Sequence, residues 1–149
     1  MAKSKVVSLS EAIAEVQDGD VVVMGSVVED RRPFAAACEI IRQGRKNLII
    51  LAECSLSEDI LVGAGCVSAY RGTFTSIGAF GISPCIKRFA EEGRIIIDDI
   101  GHIEACLGAL AGMAGAPFIA TTACLGTDVL NPEYDNVTRI RELARSPEM

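Results

Sequence analysis

The sequence of 149 residues has no tryptophan and only two tyrosines and five phenylalanines, although half of its residues are hydrophobic. A core built from this chain must therefore consist mainly of aliphatic side chains. Such a core is typical of parallel sheets whose strands are buried on both faces. The length is that of a single domain and is sufficient to bury a core.

Metal-binding patterns are also missing. The chain has one histidine, and its six cysteines are never closer than twelve residues apart, so there is no C-x-x-C pair. Zinc sites need clustered ligands, and we therefore expect no metal. Dispersed cysteines in a reducing compartment are most simply small core residues. Cys54 and Cys124 follow predicted strands and are the two candidates for reactivity.

Signals for membranes, secretion and nucleic acids are absent as well. No apolar run approaches the roughly 18 residues of a membrane span, and the N-terminal segment lacks the apolar core of a secretion signal. A net charge of −6 disfavours nucleic acids and anionic membrane surfaces as partners. We expect a cytoplasmic protein with neither a nucleic-acid partner nor a membrane partner.

Helix and strand signals alternate along the chain. SLSE at 8–11 is a capping box that predicts a short helix, and proline starts with glycine stops bracket the helices at 33–44 and 84–93. Further helices are predicted at 55–65 and 101–115. Apolar runs predict strands at 21–24, 47–53, 66–70, 94–99 and 117–123.

This alternation predicts an α/β fold: an open parallel sheet with right-handed crossovers and helices on both faces. We expect one domain over residues 1–130. Residues 131–149 are polar and are predicted to form a tail with at most one short helix.

In such a sheet, ligands bind at the carboxyl ends of the strands. The segment MGSVVEDRRP follows the first strand there. It has one glycine and no G-x-x-x-x-G-K-[ST] motif, so a nucleotide site is disfavoured. Backbone N–H groups at Gly25 and Ser26, with Arg31 or Arg32, are suited to hold a carboxylate, a thioester oxygen or a phosphate. The alternative is that the arginines pair with Glu29, Asp30 or a partner chain.

Two further candidates lie at the same edge. His102 is the sole histidine and stands at a predicted helix start after a strand, where it suits acid–base chemistry or hydrogen-bond donation. The alternative is a structural histidine. The segment LGTD at 125–128 is placed to present Gly126 and Thr127 to a ligand. No G-x-S-x-G elbow occurs, which excludes an α/β-hydrolase.

The order of four segments carries a family resemblance. SLSEAIAEVQDGDVVVMGS, RRPFAAACEIIRQGRKNLIIL, DILVGAGCVSAYRG and GHIEACLGALAGMAGAPFIATTACLGTDVL follow one another. In this order they resemble the α (A) subunit of family I CoA-transferases, of the glutaconate CoA-transferase type. The same segments are related to the ring-opening CoA-thioester hydrolases of steroid degradation.

The resemblance implies a subunit of a hetero-oligomeric enzyme that moves CoA between an acyl-CoA and a carboxylic acid. In that chemistry a glutamate carboxylate attacks the acyl-CoA, and the glutamate belongs to the partner β subunit. The CoA thioester is a substrate, and no permanently bound cofactor is implied. Gly25 and Ser26 match the glycine loop that lies beside the reacting acyl group.

Two departures from the family pattern leave alternatives open. The chain is about half as long as the usual α subunit, and the family's GGF is here MGSVV. His102 stands where some relatives place a glutamate that serves the chemistry. Two alternatives to a transferase subunit therefore stay open. One is a subunit of a CoA-thioester hydrolase or C–C-cleaving enzyme that uses His102, and the other is a non-catalytic assembly subunit.

Overall fold

The computed structural model describes residues 5–25, 30–53, 55–127 and 129 of the chain. Helices and strands alternate in this part, as the apolar segments predict. The helices are α1 (Leu9–Ala14), α2 (Phe34–Arg42), α3 (Leu56–Gly63), α4 (Pro84–Glu91) and α5 (His102–Met113), and the strands are β1 (Val21–Met24), β2 (Leu48–Ala52), β3 (Val67–Gly72) and β4 (Ile96–Asp99).

The predicted capping box begins α1. The Ser8 hydroxyl accepts a hydrogen bond from the Glu11 N–H at 3.2 Å, and the Glu11 carboxylate accepts one from the Ser8 N–H at 2.8 Å. These two bonds satisfy backbone donors that a helix start otherwise leaves without partners. The prediction of a short first helix is confirmed.

The four strands form one parallel sheet in the order β1-β2-β3-β4. Because each right-handed crossover between neighbouring strands places its helix on the same side, α2, α3 and α4 share one face. Helix α2 packs against α3, and α3 packs against α4. The core between these helices and the sheet is aliphatic except for a few aromatic rings, and its fully buried members include Ala37, Ile40, Leu48, Ile50, Leu61, Val62, Tyr70 and Ile86.

Helix α5 lies over part of the second face of the sheet. Ala105 and Ala109 of this helix line a cavity together with Val23 and Leu51, whose side chains alternate away from the core. The coverage is partial, since Val23 remains 65% exposed. Helices therefore lie on both faces, as predicted, with α2, α3 and α4 on one face, α1 packed against α2, and α5 on the other face. Within the described ranges, no helix is both long and apolar enough to cross a membrane.

The prediction of a fifth strand at 117–123 is wrong. These residues form no ladder, and Phe118 is 68% exposed. The Thr121 hydroxyl accepts a hydrogen bond from the Ala123 N–H at 3.0 Å, a local turn bond that competes with strand pairing. Residues 131–149, predicted as a polar tail, lie outside the described part of the chain.

The glycine-rich connection between β3 and α4 contains regular structure of its own. A short 3₁₀ helix spans Gly78–Phe80, and Ser76 and Ile82 form an isolated antiparallel bridge. This folded connection carries Ile77 and Phe80 to the carboxyl edge of the sheet, where they line a second cavity.

Candidate functional site

A cavity of about 220 Å³ opens at the carboxyl ends of β1 and β2, between the second face of the sheet and the start of α5. Its polar lining consists of Glu53, Thr73 and His102, with the backbone of Gly25 beside them. This is the edge at which parallel α/β sheets bind ligands. Two predicted site residues, Gly25 and His102, are thus brought together.

The central contact of this cavity joins His102 to Glu53. The His102 Nε2 lies 2.8 Å from the Glu53 Oε1 and 3.1 Å from the Thr73 Oγ1. An ionised carboxylate only accepts hydrogen bonds. We therefore infer that Nε2 is the protonated nitrogen and that its N–H donates a hydrogen bond to the Glu53 carboxylate. In the neutral ring, Nδ1 is then left as an acceptor.

The imidazole ring is oriented by stacking but remains open to solvent. The ring of Phe74 stacks on it at a centroid distance of 5.7 Å and an interplanar angle of 18°. The His102 side chain is 53% exposed, and that of Glu53 is 25% exposed. A ligand that reaches the mouth of the cavity can therefore contact the ring.

Tyr70 ties the ends of β2 and β3 together beneath this site. Its hydroxyl donates to the Ala52 carbonyl at 3.1 Å and contacts the Phe74 carbonyl at 3.0 Å. The ring passes so close to Gly72 that a Cβ built there would lie 2.1 Å from it. Glycine is therefore required at this position, and the arrangement fixes the residues that flank the cavity.

A buried ion pair supports Glu53 from the other side. The Arg32 Nη1 donates to the Glu53 carbonyl at 2.9 Å and to the Glu58 Oε1 at 3.3 Å. The side chains of Arg32 and Glu58 are 6% and 0% exposed. The Glu58 carboxylate also accepts hydrogen bonds from the hydroxyls of Ser55 and Ser57.

A second cavity of about 590 Å³ adjoins this ion pair at the starts of α2 and α3. Its walls are mainly apolar, and its charged members are Arg31 and Arg32. Arg31 adopts the left-handed backbone conformation, with φ of 54°, and takes part in none of the ion pairs found among the described residues. Of the two predicted arginines, Arg32 thus pairs with a carboxylate, whereas Arg31 belongs to none of these ion pairs.

The predicted residues Gly126 and Thr127 lie elsewhere. They belong to a turn in which the Thr127 N–H and hydroxyl both donate to the Cys124 carbonyl, at 3.1 and 2.7 Å. Cys124 has φ of 58°, and interaction with the Glu104 carboxylate raises the pKa of its thiol. The turn lies against the start of α5 but lines neither of the two cavities. Ser26 and Cys54 lie outside the described residues.

Sequence reasoning assigned no role to Glu53 or Thr73, although both lie in segments that follow strands at this edge. Glu53 ends the apolar run NLIILAE, and a charged residue at the carboxyl end of a buried strand is the signal that could have found it. The same signal also occurs at an acid with a different role, since Asp98 near the end of β4 is buried in an ion pair with Arg71 at 3.2 Å. Within the described ranges, no group of three or more histidine, cysteine, aspartate or glutamate side chains is arranged to hold a metal ion.

Comparison with known proteins places the chain among coenzyme A transferases. The family model described as coenzyme A transferase matches residues 6–145. The glutaconate CoA-transferase A subunit of Acidaminococcus fermentans is 33% identical over 127 residues, which are 83% of this chain and 40% of the relative. The 3-oxoadipate CoA-transferase A subunit of Pseudomonas knackmussii is also 33% identical, over 87% of this chain and 48% of the relative.

Two further matches complete the comparison: one relative with another activity, and one solved crystal structure. The cholesterol ring-cleaving hydrolase IpdA subunit of Rhodococcus jostii is 26% identical over 85% of this chain and 43% of the relative. The crystal structure of the Acidaminococcus fermentans glutaconate coenzyme A-transferase superposes with a TM-score of 0.76 at 32% identity, over 86% of this chain and 41% of that chain. The chain spans less than half the length of these curated relatives. It belongs to the coenzyme A transferase family.

Proposed function

We propose that the chain is one subunit of a hetero-oligomeric CoA-transferase that acts in the cytoplasm and moves CoA between an acyl-CoA and a carboxylic acid. The observation that carries this proposal is the cavity that joins Gly25, Glu53 and His102 at the carboxyl edge of a CoA-transferase fold. The partner is a CoA-transferase-like β subunit. The CoA thioester enters as substrate, and no resident cofactor takes part.

The covalent chemistry is assigned to a glutamate of the partner. Its carboxylate attacks the thioester carbonyl, and CoA thiolate leaves as a mixed anhydride forms; the thiolate then attacks the glutamyl carbonyl and releases the first acid. This chain lines the site with the backbone of Gly25, and we propose that Ser26, the next residue in the sequence, contacts the same acyl group. The Nε2–H of His102 stays on Glu53. When the exposed ring also carries a proton at Nδ1, it can donate a hydrogen bond from Nδ1 to the oxyanion that develops at the attacked carbonyl.

The second cavity suits the acyl part of the substrate. Phe34, Leu56 and Phe80 offer apolar walls, and Arg31 offers a charge at the same cavity. Arginine binds carboxylates in a bidentate manner. Glutaconate and 3-oxoadipate, named for two relatives, are dicarboxylates, and we propose that Arg31 receives a second carboxylate of the acid substrate. Arg32 lines the same cavity, but the Glu58 carboxylate neutralises its charge, so the substrate carboxylate is assigned to Arg31 and not to Arg32. Gly126 and Thr127 are proposed to approach the substrate from the turn beside α5.

Hydrolysis of a CoA thioester is the second candidate function, and the His102–Glu53 contact favours it. A carboxylate that accepts the Nε2 proton orients the imidazole and leaves Nδ1 able to accept a proton from water. One relative is a ring-cleaving hydrolase, and hydrolytic opening of a carbon ring also needs water activated beside the substrate. In this reaction water replaces the acceptor acid, and free CoA and the carboxylic acid are the products.

The two candidates are separated by one trapping experiment. The chain is co-expressed with the product of the adjacent gene, and the purified complex is incubated with labelled acyl-CoA and then with borohydride or hydroxylamine. Transfer predicts a trapped glutamyl adduct on the partner and CoA that moves to an added acid. Hydrolysis predicts free CoA without an adduct, lost in His102→Gln. A complex in which Glu53→Gln and His102→Gln together leave turnover unchanged would overturn a catalytic role for this chain and support an assembly role.

A further inference from the structure

We infer that the buried Arg32–Glu58 pair is a positioning device that holds Glu53 where its carboxylate meets His102. The inference deepens the proposed function and rests on it for the catalytic consequence. Its structural content, that removing the pair displaces Glu53 from His102, is tested independently of any activity.

Glu53 stands just beyond the hydrogen-bonded part of the sheet. The ladder between β1 and β2 ends at the partners Met24 and Ala52, and the ladder between β2 and β3 ends at Ala52 and Gly72. Among the described residues, Glu53 therefore has no partner in either ladder. The 2.9 Å hydrogen bond from the Arg32 Nη1 to the Glu53 carbonyl takes that place.

The donor of this bond is itself held in a fixed position. Glu58 is the third residue of α3, an N-terminal position that favours a carboxylate, and its side chain is fully buried. The hydroxyls of Ser55 and Ser57 donate to it. Glu58 is thereby anchored to the helix start, and Arg32 is anchored to Glu58. The rigid helix α3 thus defines where the Glu53 carbonyl lies.

The chemistry of the pair argues for positioning over simple stabilisation. A buried ion pair can often be replaced by apolar side chains without loss of stability, so the core does not itself require this one. A guanidinium, however, presents donors in a rigid fork, which lets one side chain reach a carboxylate and a main-chain carbonyl together. Both acceptors of Arg32 Nη1 belong to the segment that carries Glu53.

The sequence offers a direct readout, because His102 is the only histidine. The ¹⁵N–¹H spectrum of the histidine side chain therefore reports this one ring, in the full chain purified without a polyhistidine tag. The test variant is Arg32→Met/Glu58→Leu, which replaces the buried pair by apolar side chains. Glu53→Gln gives the reference signal of a ring without its carboxylate. The matched control is Lys87→Met/Glu91→Leu, which removes an exposed ion pair on α4 by the same kind of change.

We expect the Arg32→Met/Glu58→Leu signals to move more than halfway to those of Glu53→Gln, while the control keeps the wild-type signals. A folded double variant with wild-type signals overturns the inference. Urea unfolding establishes that the double variant is folded. If the double variant does not fold, the same spectrum is recorded for Arg32→Lys, because lysine keeps the positive charge but lacks the forked donors of the guanidinium. A shifted histidine signal in Arg32→Lys supports the inference, and an unshifted signal overturns it.

Activity separates this inference from the proposed function. In the active complex, misplacing Glu53 predicts a kcat lower by about 10- to 100-fold, with KM changed by less than about twofold. A shifted histidine signal with unchanged kcat contradicts the catalytic role of the Glu53–His102 pair and leaves the positioning in place. An unshifted signal contradicts the positioning whatever the activity.

Discussion

The Nε2 of His102 lies 2.8 Å from the Oε1 of Glu53, although the two residues are far apart in the sequence. Glu53 follows β2 and His102 begins α5, and the carboxyl edge of the parallel sheet brings them together. The surrounding structure supports this contact from several sides. Tyr70 and the Arg32–Glu58 pair fix the strand ends, and Phe74 stacks on the ring.

Replacing the carboxylate tests the role of Glu53. Glu53→Gln removes the charge that orients His102 but keeps the size of the side chain. We expect kcat of the active complex to fall by about 10²- to 10⁴-fold, the usual contribution of positioned proton-transfer groups. Steady-state kinetics on the complex measure this. Glu91→Gln, the same change on an exposed face of α4, is the control and should retain wild-type kcat.

Adding a methyl group at Gly72 tests the packing under the site. Because a Cβ there would overlap the Tyr70 ring, Gly72→Ala should lower the free energy of unfolding by about 1–3 kcal/mol, as overpacking does. Urea denaturation measures the change. Gly108→Ala is the matched control: nothing lies within 4 Å of its added Cβ, and a helical alanine should raise stability by about 0.5–1 kcal/mol. Equal effects of the two substitutions would contradict the close approach of Tyr70 to Gly72.

Breaking the buried ion pair on one side should be costly. Glu58→Leu leaves the Arg32 guanidinium buried without its carboxylate, and we expect a loss of about 3–5 kcal/mol of stability. The double change Arg32→Met/Glu58→Leu removes both charges and should restore most of that loss. Urea midpoints of the single and double variants, compared in one buffer, give the answer. A double variant less stable than the single variant would show that the pair itself stabilises the fold.

The buried thiol of Cys66 predicts a pH dependence of stability. Burial raises the pKa of this thiol, so the unfolded chain releases the proton first as pH rises. The stability that the neutral thiol supplies is complete below the ordinary thiol value of 9.0, and it is lost as pH rises from there through the folded-state pKa. Unfolding free energy should fall over this alkaline range, and it should fall less in Cys66→Ala.

Thiol alkylation provides a second measurement of the same burial. Cys66 is 1% exposed, while Cys106 lies exposed on α5. Iodoacetamide followed by mass spectrometry of the native chain should modify Cys106 much faster than Cys66, and urea should abolish the difference. Comparable native rates would contradict the burial of Cys66.

Much of the fold was predictable because its signals are local. The capping box at Ser8, the proline start of α4 and the aliphatic runs of four strands each specify an element within a few residues. The segment 117–123 has the same aliphatic character. A strand must also pair with a neighbouring strand, and the residues of a segment alone do not determine whether that partner is present. Pattern alone therefore predicted a strand where the Thr121 turn bond prevails.

The candidate site was predictable only in part for a similar reason. Gly25 and His102 were found because glycine after a strand and a lone histidine are conspicuous in a sequence. Glu53 looked like one acid among 20 acidic residues, and only the register of the sheet brings it to His102. Arg31 and Arg32 are adjacent in sequence and line the same cavity, yet only Arg32 is buried in an ion pair among the described residues.

The rate of CoA transfer by a complex that carries His102→Gln tests the proposed site most directly, with Lys87→Gln as the control on the opposite side of the sheet. We expect the His102 variant to assemble with its partner as the wild type does but to transfer CoA at least about 100-fold more slowly. Transfer at the wild-type rate by a fully assembled His102→Gln complex would contradict the claim that this chain contributes to the reacting site.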